Sequence, residues 1–220
     1  MTDRPGSLSI RSLILMPALI TLGITLLRLV GELLNWSPVL FSRAAGGGFA
    51  LVGISWLPPI LGFYFASKLA KEAPAPGGGG LIGSALAGIV LAVGSAMVVG
   101  RVLKLSPQGQ FPIIILALIV AAWLAYRAWP LLGRVLFAYG LAARIPVVIV
   151  MLIAIYANWG THYDVLPPGL PDPGGPFARW FQIGLVPQLL IWIPFTMVTG
   201  ALLGGIALLV GGGSRQAVTA

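Results

Sequence analysis

Charge is the scarcest property of this sequence, which has five Asp and Glu and thirteen Lys and Arg in 220 residues. Charged residues make up 8% of the chain, against about 25% in an ordinary soluble domain. Hydrophobic residues make up 58%, and so few charges could not keep that much apolar surface in water. The composition excludes a typical water-soluble domain and predicts an all-α integral membrane protein, because helices satisfy their own backbone groups in hydrocarbon.

Cysteine is absent altogether, which excludes disulfides, thiolate metal ligands and cysteine nucleophiles. The single histidine, His162, and five scattered acids are a poor ligand set for zinc, so no metal site is predicted. No span contains the paired histidines that would hold a haem, and no acidic cluster would hold magnesium. Phosphate-loop, nucleophile-elbow and zinc-protease motifs are missing as well. The sequence therefore predicts no cofactor.

The basic excess gives a net charge of +8 but no concentrated patch. The basic residues lie scattered at the ends of apolar runs, where they set membrane topology, so nucleic acid is not an expected partner. With the N-terminus inside, seven Lys and Arg lie on the inner side and four on the outer side. This bias predicts that both termini are cytoplasmic. The low charge content fits a protein of the bacterial cytoplasmic membrane. The expected partners are the lipid bilayer and either another membrane protein or a second copy of the chain.

Apolar runs of about 20 residues, the length that crosses a bilayer, recur along the chain. We predict one polytopic domain, residues 13–210, flanked by cytoplasmic tails 1–12 and 211–220. It contains about six transmembrane helices, at 13–33, 49–70, 81–103, 111–129, 135–158 and 181–210. The glycine runs at 46–48 and 77–80 are interpreted as linkers between spans.

An extracytoplasmic loop rich in proline and glycine is predicted at 159–180. Five prolines fall within 167–176, which excludes a helix there and leaves polyproline-like segments and tight turns. The polar string at the start of the loop contains His162 and Asp164, which are the candidate catalytic residues for acid–base chemistry. The alternative is an interfacial histidine that bonds to backbone carbonyls or to Asp164.

Prolines inside the predicted spans remove backbone donors and displace carbonyl groups one turn back. The predicted helix breaks are at Pro58, Pro59, Pro146 and Pro194, with the strongest kink at the adjacent pair. Broken helices near the membrane midplane are one device of transporters, whereas purely structural kinks are the commoner alternative.

Small residues recur at every fourth position of two predicted spans. In hydrocarbon, helices associate by close packing, so such rows predict helix contacts. One hypothesis pairs the third span with the sixth, a second seats a partner subunit on these faces, and a third treats the rows as ordinary membrane composition. The predicted packing residues are Ser84, Gly88, Ala92, Ala96 and Gly100 in the third span and Gly200 and Gly204 in the sixth.

Polar and ionisable residues inside spans are functional candidates by default. Arg28 and Glu32 stand four apart and share a helix face, so an ion pair near the outer end of the first span is predicted. Arg144 is expected about 10 Å inside the inner boundary, where it snorkels, binds an anionic lipid head or pairs with an acid. Gln188 places an amide within the sixth span.

Three functions are compatible with these features. The first is a non-enzymatic membrane subunit or scaffold that binds a partner or lipid, favoured by the few charges, the packing rows and the stiff outer loop. The second is a small transporter or channel that uses proline-broken helices and Arg144. The third is an intramembrane enzyme that uses His162 and Asp164. A cavity reaching Arg144 and Pro58 would favour transport, contact between His162 and Asp164 in a pocket would favour chemistry, and a solid bundle would favour assembly.

Overall fold

The computed structural model of the chain describes residues 9–48 and 50–216. These residues form helices and connecting segments, with no strand among them. The helices are α1 Ile10–Leu33, α2 Leu57–Leu69, α3 Gly78–Met97, α4 Pro107–Ala128, α5 Pro130–Ala157, α6 Pro176–Arg179, α7 Val186–Leu190 and α8 Trp192–Gln216. Two π-helical segments, Val98–Val102 and Trp180–Leu185, extend α3 and join α6 to α7. Residues 1–8 and 217–220 of the predicted tails lie outside the described residues.

Five helical stretches of the described chain are long and apolar enough to cross a membrane. They are Ile10–Leu33, Gly78–Val102, Pro107–Ala128, Pro130–Ala157 and Pro176–Gly211. Large apolar side chains cover their outward faces, and Val90, Leu116 and Ile149 expose 71%, 63% and 51% of their surface. A contiguous apolar exterior of this kind is unfavourable in water. Length, composition and surface are therefore those of a membrane protein.

The predicted second span, 49–70, is helical only over Leu57–Leu69. Residue 49 lies outside the described chain, and residues 50–56 form turns and bends. Pro58 and Pro59 occupy the first turn of α2, where a missing N–H breaks no helical hydrogen bond. The predicted kink at this pair and the count of six spans are therefore not confirmed, because the prolines begin a helix of 13 residues.

The other predicted helix breaks are not confirmed. Pro146 lies inside α5, which continues to Ala157, and Pro194 is near the start of α8. The predicted span 181–210 is nevertheless discontinuous, since α6, a π-helical segment, α7 and α8 follow one another along it. Its helical structure begins at Pro176, so the predicted loop 159–180 is shorter than expected.

The helix α8 is central to the bundle, because α2, α3, α4 and α5 all pack against it. Glycine allows the closest of these approaches. A Cβ atom added to Gly62 of α2 would lie 2.2 Å from the carbonyl oxygen of Gly200 in α8. A Cβ atom on Gly78 of α3 would lie 2.6 Å from the carbonyl oxygen of Gly205. Only glycine fits at these positions, so the backbones themselves form the contact.

The predicted packing rows serve several neighbours. A Cβ atom on Gly88 would lie 3.0 Å from the Ala121 side chain of α4, and Gly100 faces the Gln110 side chain. Gly204 lies against α5, where an added Cβ atom would be 2.9 Å from Leu132. The half-buried members of the α3 row are Ser84, Ala92 and Ala96. A row with a step of four winds around a helix of 3.6 residues per turn, so its members meet different partners.

Candidate functional site

A buried carboxylate, Glu32, joins the end of α1 to the segment that follows α5. Glu32 is fully buried, and Nε of Arg28 donates to its Oε1 at 2.8 Å. The His162 backbone N–H donates to Oε2 at 2.9 Å, and His162 Nδ1 lies 2.5 Å from Oε1. The sequence indicated that Arg28 and Glu32 share a face, but it gave no sign of the histidine. One carboxylate thus positions residues that are 130 apart in the chain.

The glycine segment near residue 47 encloses the Arg28 guanidinium. Nη2 of Arg28 donates to the Gly47 carbonyl at 2.9 Å and to the Ser42 carbonyl at 3.2 Å. Gly47 has φ +88°, and a Cβ atom there would lie 2.8 Å from that nitrogen. This backbone conformation and this close approach both require glycine. The segment interpreted as a linker is therefore part of the arginine's binding site.

Asp164 closes its own turn instead of pairing with His162. Its carboxylate accepts the Gly160 N–H at 2.8 Å and both the N–H and the hydroxyl of Thr161 at 2.7 Å. These bonds occupy both carboxylate oxygens. Among the described residues, the side chain of His162 is paired with Glu32, so the predicted acid–base contact between His162 and Asp164 is not formed.

The loop that carries His162 is held against α1 by hydrogen bonds from His162 and Tyr163. Burial lowers the pKa of His162 and the nearby Arg28 cation lowers it further, while the hydrogen bond to Glu32 opposes the change. Burial raises the pKa of Tyr163, whose hydroxyl donates to the Thr25 carbonyl at 3.2 Å. A histidine committed to Glu32 is poorly placed to act as a free base.

Arg144 lies about midway along α5, roughly 20 Å from either end at 1.5 Å per residue. The helix begins at Pro130, before the predicted boundary at 135, so Arg144 lies farther from the helix end than the sequence indicated. Only 4% of its surface is exposed. Nη1 donates to Oε1 of Gln188 at 3.2 Å, and the guanidinium carbon lies 4.5 Å from the Trp192 ring centroid. The side chain does not snorkel to a surface, and the structure shows which groups hold it.

No acid neutralises Arg144 among the described residues. The ion pairs there join Arg28 and His162 to Glu32, and Arg179 to Asp172. Nε of Arg144 is buried without a hydrogen-bond partner in the described chain. A buried arginine usually pairs with an acid or with several acceptors. This guanidinium therefore retains unused hydrogen-bonding capacity.

A cavity of about 520 Å³ brings these residues together. Polar groups from α1, α5, the loop and the discontinuous last stretch reach its surface, whereas its walls are mainly apolar. The polar members include Arg28, Arg144, His162, Tyr163, Gln182 and Gln188. The apolar members include Ile24, Ile54, Phe111, Val147, Met151, Ile183 and Ile191, and the segment 167–170 lies across one side. A volume between about 300 and 1,000 Å³ with a few convergent polar groups is typical of a ligand site.

Some site residues could not be identified from the sequence. Gly47 looked like part of a linker, and Trp192 looked like one apolar residue among many. The spacing of four between Gln188 and Trp192 was the available signal, because residues four apart on a regular helix share a face. A cavity that reached both Arg144 and Pro58 would have favoured transport, but Pro58 does not line the cavity.

Comparison with known proteins adds no relative: no protein-family model, curated protein or solved structure matches the chain. A fold alone would not define an activity in any case. The cavity and the side chains that reach it are therefore the features that bear on function.

Proposed function

We propose that this chain is a non-enzymatic, multi-pass membrane protein that binds a ligand inside its helical bundle. One observation carries the proposal: polar groups from separate segments converge on an apolar cavity of about 520 Å³. Ligand sites in helical bundles have this construction, with apolar walls for affinity and a few polar groups for orientation. Close packing of the helices does not explain the cavity, since a bundle can be stable without an internal space of this size.

The topology that fits this role has six crossings. The short helix α2, together with residues 50–56, completes the second crossing, and the discontinuous stretch from Pro176 completes the last. Both termini then lie on one side of the membrane, and the excess of Lys and Arg makes that side cytoplasmic. The cavity lies towards the extracytoplasmic end of a protein of the bacterial cytoplasmic membrane.

An enzymatic role for His162 and Asp164 has little geometric support. The histidine side chain is paired with Glu32, and the Asp164 carboxylate is filled by donors of its own turn. General acid–base catalysis needs a group within hydrogen-bond reach of a reacting atom and free to exchange a proton. Binding is favoured over chemistry for this reason.

Native mass spectrometry after purification in mild detergent tests the proposal. The wild-type protein is expected to carry a co-purified small molecule. Ile24→Trp fills the cavity from its α1 wall and should lose that molecule. Ile20→Trp, one turn away and 50% exposed, is the matched control and should keep it. A wild-type protein without any bound molecule, or equal occupancy in Ile24→Trp, would contradict ligand binding in this cavity.

Transport is the second candidate, and the discontinuous last stretch favours it. The stretch lines the cavity where Trp180–Leu185 is π-helical and where α7 gives way to α8. Transporters place their binding sites at discontinuous helices, and π-helical segments are frequent at functional sites. Vesicles containing the wild-type protein should then take up the co-purified compound, and vesicles containing Ile24→Trp should not. Equal uptake by protein-free vesicles would exclude this role.

A further inference from the structure

The chemistry of the ligand follows from the environment of Arg144. The guanidinium has five N–H donors, and the described residues provide a hydrogen bond from one of its nitrogens, to Gln188. Contact with the Trp192 ring offsets part of the cost of burying the charge. The unpartnered Nε still requires an acceptor. A ligand that carries an oxyanion would supply the missing negative charge and accept from guanidinium N–H groups that Gln188 leaves unpaired.

The groups around Arg144 fit an oxyanion. A planar guanidinium binds carboxylate or phosphate oxygens through two parallel hydrogen bonds, which a lysine ammonium cannot do. Gln188 fixes the orientation of the arginine side chain. Gln182, which also lines the cavity, has a buried Oε1 without a partner in the described chain. The NH2 group of the same amide is a potential second donor to an anion in the cavity.

The charge balance of the cavity fits one negative charge. Arg28 is already neutralised by Glu32, which also binds His162. Among the described residues that line the cavity, Arg144 is thus left as the cation without an acid. A single negative charge, as on a fatty-acid carboxylate or a phosphodiester, would balance it.

The remaining walls of the cavity fit an apolar chain. Ile24 of α1 and Phe111 of α4 both line the cavity, yet α1 and α4 do not pack against each other in the described structure. Direct contact between α1 and α4 therefore does not close the cavity between Ile24 and Phe111. Resting on the proposed function, we propose that the ligand is an amphipathic anion, with its oxyanion on Arg144 and its apolar chain passing between α1 and α4 towards the bilayer.

Calorimetric titration of the delipidated protein in a non-ionic detergent tests this assignment with four probes: palmitate, phosphatidylglycerol, inorganic phosphate and hexadecanol. Palmitate or phosphatidylglycerol should bind to the wild-type protein. Arg144→Gln should weaken that binding at least about tenfold, since it removes a charged bidentate contact. Arg144→Lys should bind with intermediate affinity, because lysine keeps the positive charge but cannot form two parallel hydrogen bonds to one oxyanion. Arg134→Gln, on the same helix but exposed, should bind like the wild type.

Each result of the titration decides between definite alternatives. Tighter binding of palmitate identifies the ligand group as a carboxylate, and tighter binding of phosphatidylglycerol identifies it as a lipid phosphodiester. Either result supports the proposal if Arg144→Gln weakens the binding of that probe. Inorganic phosphate binding as tightly as the amphiphiles would overturn the amphipathic assignment. If hexadecanol binds as tightly as palmitate and Ile24→Trp abolishes that binding, the anionic character of the ligand is wrong. The proposal that the cavity binds a ligand then still holds. If Arg144→Gln binds normally, the assigned role of Arg144 is wrong.

A stability measurement separates loss of binding from loss of folding. Arg144→Gln removes a buried charge without an acid partner, so the ligand-free variant should unfold at a temperature no lower than that of the wild type. Added palmitate or phosphatidylglycerol should then raise the unfolding temperature of the wild type alone. Equal stabilisation of both proteins by the added amphiphile would overturn the proposal.

Discussion

The helices pack closely in one region of the bundle and are held apart in another. Around Gly62, Gly200 and Gly205, the helices α2, α3 and α8 approach until their backbones touch. Around Arg144 and Glu32, polar side chains and irregular segments hold the elements apart and leave a cavity. Small residues give stability through close contact, whereas the polar region accepts buried charges and keeps space. The contrast separates the cavity, which is the proposed binding site, from the glycine contacts, which hold the helices together.

The largest expected effect concerns the buried carboxylate. Glu32→Ala leaves the Arg28 charge without its acid and removes the acceptor for His162, so unfolding free energy should fall by about 3–5 kcal/mol. Thermal or denaturant unfolding in detergent measures this change. The matched control is Asp172→Ala, whose partner Arg179 forms an exposed pair and whose loss should change little. Similar losses in both variants would mean that burial of the pair is unimportant.

Gly62→Ala tests the glycine contacts. Its Cβ atom would lie 2.2 Å from the Gly200 oxygen, and because that atom belongs to the backbone, α2 and α8 must separate. The expected loss of unfolding free energy is about 2–3 kcal/mol, the upper part of the usual range for overpacking. Gly83→Ala in α3, where an added Cβ atom meets nothing within 4 Å, should leave stability nearly unchanged. Comparable unfolding temperatures for the two variants would refute the close contact.

Gly88→Leu should disturb the α3–α4 contact, where an added Cβ atom would lie 3.0 Å from Ala121. The loss should be about 1–2 kcal/mol, smaller than at Gly62 because the lightly buried α3 can shift towards lipid. Gly80→Leu, about two turns earlier in α3 and with open space around it, is the control for unfolding in detergent. Equal stability of both variants would show that Gly88 does not form a close contact with α4.

His162→Ala should have the smallest effect. The variant keeps the backbone N–H bond to Glu32 and loses the ring contact, so about 1 kcal/mol of unfolding free energy should disappear. Ligand occupancy by native mass spectrometry should persist, since Arg144 is untouched. A loss as large as that of Glu32→Ala would show that the histidine, rather than Arg28, is the main partner of the carboxylate.

Hydropathy predicted the long helices because each is a run of apolar residues of membrane-spanning length. It did not locate the start of the helix within 49–70, where apolar residues continue through an irregular segment before α2 begins at Leu57. Backbone shape cannot be inferred from hydrophobicity alone. The position of Pro58 and Pro59 carried the better signal, since proline is favoured in the first turn of a helix.

The candidate site was less accessible to sequence reasoning. Periodicity placed Arg28 and Glu32 on one face of α1, but it does not say which distant segment meets that face. The pairing of Glu32 with His162 spans 130 positions and depends on how α1 and α5 lie side by side. The distance of Arg144 from the start of α5 was underestimated, because the helix begins at Pro130 and each additional residue adds about 1.5 Å.

The polar contacts of α1 also constrain how the protein is made. Its partners come late in synthesis: Thr21 meets Tyr139, Thr25 meets Tyr163 and Glu32 meets His162, which are separations of 118, 138 and 130 residues. The helix α1 is synthesised before α5. The Glu32 carboxylate therefore lacks its contact with His162 until the segment that follows α5 has been synthesised. A photocrosslinker at position 32 should first capture the insertion machinery and transfer to the loop near residue 162 only in longer nascent chains.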